Sequence, residues 1–184
     1  MRDLDQSISI RRPGEDTARI LPRSISIRRG AAQDELAAFD VMRRAMGYEM
    51  SWQHHSETRQ HLLTTPGSSF WVAEESSRFG SSRIVGYARS LVREQVWALT
   101  EFFVLPSSHR KGIGSALLRH CLEDGAELGA DTQLVLASNH PSADGLYIRR
   151  AGCFPRMPML LLSGPLSWLQ TPEDLGFEIS HTPA

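Results

Sequence analysis

The stretch Thr100–Leu118, TEFFVLPSSHRKGIGSALL, decides the fold of this chain. It reads as an apolar strand that ends at a proline, a polar turn, a basic loop punctuated by Gly112 and Gly114, and then a helix. The N–H groups at a helix start lack intrahelical acceptors, and the helix dipole makes that end positive. Glycine lets a ligand approach the main chain closely, and Arg110 and Lys111 add positive charge. This order predicts a binding site for a phosphorylated ligand.

The composition is that of a globular protein. The 184 residues are enough for one domain with a sizeable core, and 41% of them are hydrophobic. A formal net charge of -1 argues against nucleic acid or an anionic membrane as the main partner. No apolar run approaches the roughly 20 residues that span a bilayer, and the start MRDLDQ has no secretory h-region. The only cysteines are Cys121, which falls in an apolar helical pattern, and Cys153, so we expect a reducing, cytoplasmic setting.

The pattern of apolar residues predicts an α/β (α+β) fold with a mixed, mostly antiparallel sheet and helices on both faces. The hexamer SISIRR occurs at Ser7–Arg12 and again at Ser24–Arg29, and we expect the second copy to be the first core strand. Further strands are expected at Phe70–Glu74, Ile84–Val92, Val96–Val104, Gln133–Ala137 and Met157–Leu162. Helices are expected at Gln33–Met46, from the end of a Tyr48–His55 connector to Leu63, after Gly112, and at Ser142–Arg150. Because a helix separates the strands Val96–Val104 and Gln133–Ala137, these two should run parallel.

Two motifs resemble those of the GNAT superfamily of N-acyltransferases, which use acetyl-coenzyme A. The family's pyrophosphate motif is a Gln or Arg, two residues, Gly, one residue, then Gly or Ala; here it reads HRKGIG from His109 to Gly114, with histidine in the first position. The second match comprises Asn139, Ala143, Leu146, Tyr147, Gly152 and Phe154, with Cys153 inserted before the phenylalanine. The resemblance covers roughly Ser24–Ser163. We therefore expect an N-terminal arm or tail at 1–23, the acetyltransferase domain at 24–163 and an extension at 164–184.

The resemblance implies where acetyl-CoA binds. The two parallel strands should splay apart and hold the pantetheine arm between them, with the main chain of Phe102, Phe103 and Val104 pairing with it. The pyrophosphate should lie against the loop and helix start, which comprise His109, Arg110, Lys111, Gly112, Ile113, Gly114 and Ser115. Asn139 should touch the pantetheine region.

The resemblance also suggests the catalytic groups. Tyr147 matches the usual proton donor to the departing sulfur; the alternative is a helix tyrosine packed on the core. Glu101 stands where family members often carry a carboxylate that acts as base directly or through water. Its neighbours Phe102 and Phe103 imply partial desolvation, which raises a carboxylate pKa. The alternative for Glu101 is a carboxylate that caps the first helices or forms a salt bridge with them. The resemblance also allows catalysis by proximity alone, with solvent taking the proton.

Tyr48, Trp52, His54 and His55 fall where the family binds its acceptor. The alternative is a solvent-exposed loop with core anchors. The pair His54–His55 lacks helical spacing and nearby partners, so no metal site is expected.

The expected function is acetyl-CoA-dependent transfer of an acetyl group to a primary amine of a small molecule or peptide. Two alternatives are a non-catalytic acyl-CoA-binding regulatory module and an N-acyltransferase for a longer acyl group, for which Gly86 and Ala88 would leave room. The family often forms homodimers, and the apolar strand Met159–Leu162 is a candidate edge for one.

Overall fold

The structure is a computed structural model, and it describes residues 20–47, 51–137 and 141–155, apart from the side chains of 53, 54, 141 and 142. The chain divides into two compact units, Met1–Phe154 and Pro155–Ala184, and every element below belongs to the first. Within the described ranges, no helix has the length and apolar character needed to cross a membrane.

The described residues form a five-stranded sheet. Its strands are β1 (Ile25–Arg29), β2 (Ser68–Ser76), β3 (Ser82–Arg93), β4 (Val96–Val104) and β5 (Thr132–Val135). They lie in chain order; neighbours are antiparallel except β4 and β5, which are parallel. This confirms the predicted mixed, mostly antiparallel sheet. The α-helices are α1 (Glu35–Met46), α2 (Trp52–Thr64), α3 (Ile113–Glu127) and α4 (Pro141–Ala151).

The helices cover both faces of this sheet, because side chains alternate along each strand. Tyr87 and Ala88 are adjacent, fully buried and on opposite faces. Helices α1 and α2 pack on the Tyr87 face; the α2 residue Arg59 donates to the Tyr87 hydroxyl at 3.2 Å. Helix α3 packs on the other face, where the Trp97 indole donates to the carbonyl of Cys121 at 2.9 Å. Cys121 is buried there as an unpaired thiol, as its apolar helical pattern predicts.

Ion pairs hold the edge strand β1 to its neighbours. Arg28 donates to both carboxylate oxygens of Asp34, at 2.7 and 2.9 Å, and through Nε to Glu74 at 2.8 Å. Asp34 also accepts the N–H of Ala31 at 2.9 Å, just before α1 begins. Strand β1 is thereby joined both to β2 and to the start of α1.

Most predicted boundaries differ from the structure by one or two residues, and two of the differences have a clear physical reason. Helix α2 begins at Trp52, inside the predicted connector, because Trp52 and His55 lie one turn apart and both pack on Phe39 of α1, with ring centroids at 5.2 and 5.7 Å. Strand β5 ends at Val135 rather than at residue 137, since its pairing with β4 stops there. The first SISIRR copy and the predicted strand Met157–Leu162 lie outside the described residues.

Candidate active site

Strands β4 and β5 separate partway along the sheet. Their pairing runs from Val96 opposite Thr132 to Leu99 opposite Val135 and ends there. Beyond it, β4 continues to Val104 with β3 as its partner on one side. The main chain of Thr100–Val104 therefore has no strand partner on its β5 side among the described residues. We call this segment of β4 the open edge.

A β-bulge at Thr100 sets which way the open edge presents its side chains. Leu99 pairs with Ser90 and Glu101 pairs with Arg89, so Thr100 is the extra residue, and its hydroxyl donates to the Arg89 carbonyl at 3.2 Å. An inserted residue reverses the alternation beyond it. Glu101 consequently lies on the face covered by α1 and α2, and the next residue, Phe102, lies on the face covered by α3.

The loop before α3 has the backbone geometry of an anion site. Arg110 (φ 62°) and Gly112 (φ 85°) both lie in the left-handed region, and α3 begins at Ile113. The N–H of Ala116 bonds the Gly112 carbonyl at 3.1 Å, so the amides before it, in the first turn, have no helical acceptor. Such a run of amides at a helix N-terminus, with a left-handed residue beside it, binds phosphate groups.

Side chains of this loop make contacts within the protein. Lys111 Nζ lies 3.2 Å from Glu75, whose other oxygen accepts from Arg83 at 2.7 and 3.1 Å. The Arg83 hydrogen bond, helped by Lys111, holds the pKa of Glu75 below its usual range. His109 Nε2 lies 2.9 Å from the carbonyl of Val104, to which it donates when that nitrogen carries the proton. The loop is thus tied to β2 and to the end of β4.

Phe102 brings the predicted cofactor loop and Tyr147 together. A Cβ on Gly114 would lie 3.3 Å from the Phe102 ring and 3.4 Å from Leu146 of α4, so the start of α3 lies close to both β4 and α4 at this glycine. The Tyr147 ring lies 5.9 Å from the Phe102 ring, centroid to centroid. Tyr147 is 8% exposed, and burial, followed by the nearby Asp144 and Cys153, raises its pKa to about 12. Its hydroxyl is therefore protonated at neutral pH.

On the opposite face, Glu101 belongs to a buried charge cluster that comprises Glu35, Arg59, Tyr87, Arg89 and Glu101. Arg59 Nη1 donates to both Glu101 oxygens, at 3.0 and 3.1 Å, and Arg59 Nε donates to Glu35 at 2.9 Å. Arg89 pairs with Glu35 through Nη2, and its Nε lies 3.1 Å from Glu101. Burial raises the pKa of Glu101, while the attraction of Arg59 and Arg89 opposes that shift.

The acceptor residues expected from sequence are only partly described. Trp52 and His55 pack on Phe39 of α1. For these two side chains the packing agrees with the alternative interpretation, in which they anchor the segment to the core. Tyr48, Asn139 and the His54 side chain lie outside the described residues. Among the side chains that are described, no group of three or more His, Cys, Asp or Glu residues could hold a metal ion.

Sequence reasoning missed Arg59 and Arg89. The one available signal was Arg89, a charge inside the apolar strand IVGYARSLV. The space for a longer acyl group that was suggested beside Gly86 is already occupied. A Cβ there would lie 3.1 to 3.3 Å from atoms of Val104, Phe103 and Ile113. Nothing at Gly86 therefore favours a longer acyl group.

The open edge, the α3 amides and Tyr147 fit acetyl-CoA. An extended pantetheine arm needs main-chain partners, which the open edge offers, and a pyrophosphate needs amide donors, which the α3 start offers. The thioester sulfur needs a proton when it leaves, and the protonated Tyr147 hydroxyl carries one.

Solved structures share this fold. AAC(6')-Iy, in complex with the bisubstrate analogue CoA-S-monomethyl-acetylneamine, is 15% identical, with a TM-score of 0.59 over 77% of this chain and 98% of its own. An aminoglycoside acetyltransferase from an uncultured soil metagenomic sample, in complex with sisomicin, is 18% identical, with a TM-score of 0.60 over 77% and 97%. Glucosamine-6-phosphate N-acetyltransferase from Arabidopsis thaliana is 9% identical, with a TM-score of 0.59 over 75% and 97%. At these identities the likeness shows the fold alone.

The sequence itself identifies the family. No curated protein sequence matches this chain significantly. The profile of the acetyltransferase (GNAT) family matches residues 36–152, which is more than half of the chain and spans the open edge, the loop before α3 and Tyr147. The chain therefore belongs to the GNAT family of acetyltransferases, the acetyl-CoA-dependent enzymes whose motifs its sequence resembles.

Proposed function

We propose that this enzyme transfers the acetyl group of acetyl-CoA to a primary amine of a small molecule or peptide. The observation that carries the proposal is the position of Phe102, which packs against both the start of α3 and Tyr147 while its main chain belongs to the open edge. An amine-acetylating site needs these three parts together. Solved structures of similar fold include enzymes whose names give aminoglycosides and glucosamine-6-phosphate as acceptors, which supports a small amine as acceptor.

Bound acetyl-CoA supplies the activated acetyl group as a thioester. The α3 amides hold its pyrophosphate, and N–H donors of the open edge hold the arm and polarise the thioester carbonyl. Glu101 accepts the proton that the acceptor ammonium loses before its nitrogen bonds to the acetyl carbon. Tyr147 donates a proton to the sulfur as the carbon–sulfur bond breaks. The second proton that the nitrogen loses as it becomes an amide passes to water, and the tyrosinate regains its proton from water.

Ser115 offers the sharpest test of the cofactor site. It is the third residue of α3, where an acidic side chain favours the helix but repels a bound phosphate. We expect Ser115→Glu to keep or raise thermal stability and to weaken acetyl-CoA binding at least about 10-fold, whereas the uncharged Ser115→Gln keeps most of it. Calorimetric titration of both variants with acetyl-CoA measures this difference. Asp at Gly112 or Gly114 is a poorer test, since the first is left-handed and the second abuts Phe102.

Thiol release from acetyl-CoA in the presence of an amine panel tests the transfer itself. We expect aminoglycosides, amino sugars, polyamines or peptide amines to stimulate release, and mass spectrometry to show an added acetyl group. Acetyl-CoA binding without release for any amine would contradict the proposal. Equal binding by the Ser115→Glu and Ser115→Gln variants would contradict the phosphate site.

The cytoplasmic location, the homodimer and the domain bounds at 1–23, 24–163 and 164–184 stay predictions. Size-exclusion chromatography with light scattering measures the oligomeric state directly.

A further inference from the structure

The buried charge cluster is costly for a fold to contain. Arg59 and Arg89 are each 1% exposed, in a protein whose other described arginine ion pairs lie nearer the surface. Taking an ion out of water costs several kcal/mol in real proteins, and a buried ion pair often adds no more stability than apolar residues of similar size. Arg59 Nη2 moreover has no hydrogen-bond partner among the described residues, so the cluster is not arranged for the most hydrogen bonds. Stability alone is a weak reason for such an arrangement.

The two carboxylates of the cluster are not equivalent. Glu35 is the more enclosed, and it accepts from Arg59 Nε and from Arg89. Glu101 has 18% of its side chain exposed, and it lies on the open edge. Arg59 bridges the two, with Nε on Glu35 and Nη1 on Glu101. The bridge therefore joins one carboxylate that reaches the proposed reaction site with one that does not.

We propose that Arg59 is a positioning residue for Glu101: it fixes the carboxylate on the open edge and keeps it ionised, while Glu35 keeps the guanidinium paired when Glu101 takes up a proton. The inference rests on the proposed function, in which Glu101 accepts the proton of the acceptor ammonium. It concerns Arg59 and Glu35, which have no role in that function otherwise.

The charges balance through the step. Two guanidinium groups and two carboxylates sum to zero when Glu101 is ionised. Transfer of a proton from the acceptor ammonium to a Glu101 oxygen leaves a neutral amine and a cluster with one net positive charge. Glu35 still accepts from both arginines at that moment, and the excess positive charge favours release of the proton to water. The ionisable groups facing Glu101 are Glu35 from α1, Arg59 from α2, and Tyr87 and Arg89 from β3.

The pH dependence of kcat/KM tests the proposal, measured with an amine that the panel identifies. A carboxylate base must be ionised, so activity falls as pH drops through its pKa in the free enzyme. An opposite charge at contact distance lowers a carboxylate pKa by about 1 to 3 units. Arg59→Met should therefore shift the acid limb of the kcat/KM profile to higher pH, by about one pH unit or more. Activity should still recover at pH values above the shifted limb. Glu101→Gln should remove this limb.

Arg29→Met is the matched control. Arg29 makes a two-point ion pair with the buried Asp124, at 2.6 and 2.7 Å, on the face of the sheet that α3 covers. Its loss should lower stability without moving the acid limb. If Arg59→Met does not fold by circular dichroism, Tyr87→Phe replaces it, since the Tyr87 hydroxyl also favours the ionised Glu101 and its loss should move the limb in the same direction by less.

Two results would overturn the inference, and they are distinguishable. An acid limb that disappears in Glu101→Gln but stays in place in folded Arg59→Met or Tyr87→Phe would make the cluster purely structural and leave the proposed base intact. An acid limb that persists in Glu101→Gln would remove Glu101 as the base, and the positioning role would fall with it.

Discussion

The Tyr147 hydroxyl is the smallest unit on which the proposed chemistry depends. Replacing it with hydrogen in Tyr147→Phe keeps the ring against Phe102, so packing at the open edge should survive. We expect kcat to fall about 10- to 1,000-fold while the Kd for acetyl-CoA changes little, because the proton is needed only as the sulfur leaves. Steady-state kinetics and calorimetric titration separate these two effects. Turnover equal to that of the unchanged enzyme would remove Tyr147 as the proton donor.

Residues of local motifs were predictable, and residues of long-range clusters were not. Gly112 and Gly114 follow from local requirements, a left-handed turn and a close approach, which a short sequence window displays. The pairing of Arg59 with Glu101 joins positions 42 residues apart across α2 and β4. A single sequence carries no signal for which of its arginines meets which carboxylate. From the sequence alone, Glu101 fits either a base or a partner in a salt bridge. In the structure it is an ion-paired carboxylate with one side at the open edge.

At the scale of elements, helix α3 packs closely against Trp97 of β4 at Gly125. Glycine is otherwise unfavourable in the interior of a helix. A Cβ on Gly125 would lie 2.5 Å from Cδ1 of Trp97. Alanine normally stabilises a helix interior by about 1 kcal/mol relative to glycine. We expect Gly125→Ala instead to lower the free energy of unfolding by about 1–3 kcal/mol, because overpacking outweighs propensity. Urea denaturation measures the change.

Gly145 of α4 is the matched control for this prediction. A Cβ there would lie 2.8 Å from the end of the Arg149 side chain, which can move aside. Gly145→Ala should therefore be neutral or stabilising by up to about 1 kcal/mol. Equal stabilisation by both substitutions would contradict the close packing of α3 on Trp97.

Whole strands were more predictable than their irregularities. Strand β4 was predicted with its observed bounds, Val96–Val104, because a long apolar run between turn signals is a strong pattern. The bulge at Thr100 was not predicted, since a bulge depends on the pairing of two strands and threonine is common in regular strands. Yet this bulge determines that Glu101, and not Thr100, lies opposite Arg89.

At the scale of the whole molecule, the ion pairs of the β1 edge make stability depend on pH. Hydrogen bonds from Arg28 hold the pKa of Asp34 below its ordinary value. A carboxylate with a depressed pKa stabilises the fold above its unfolded-state pKa of about 3.9, and this contribution disappears as pH falls through the folded-state pKa. Asp34→Asn should lower the free energy of unfolding by on the order of 1–2 kcal/mol at neutral pH and by much less near pH 2. Denaturant titrations at both pH values check this; a pH-independent difference would contradict it.

The sheet also separates the two groups that are proposed to transfer protons, Glu101 and Tyr147. Glu101 and Phe102 are consecutive, yet one faces α1 and α2 while the other packs with Tyr147 on the far side. With the proposed roles, each turnover leaves a surplus proton on one side of a single strand and a deficit on the other. Among the described residues, no hydrogen bond links the Glu101 carboxylate to the Tyr147 hydroxyl, so with these roles each group exchanges its proton separately with water. Buffer and solvent isotope effects should therefore report two independent proton exchanges rather than one concerted shuttle.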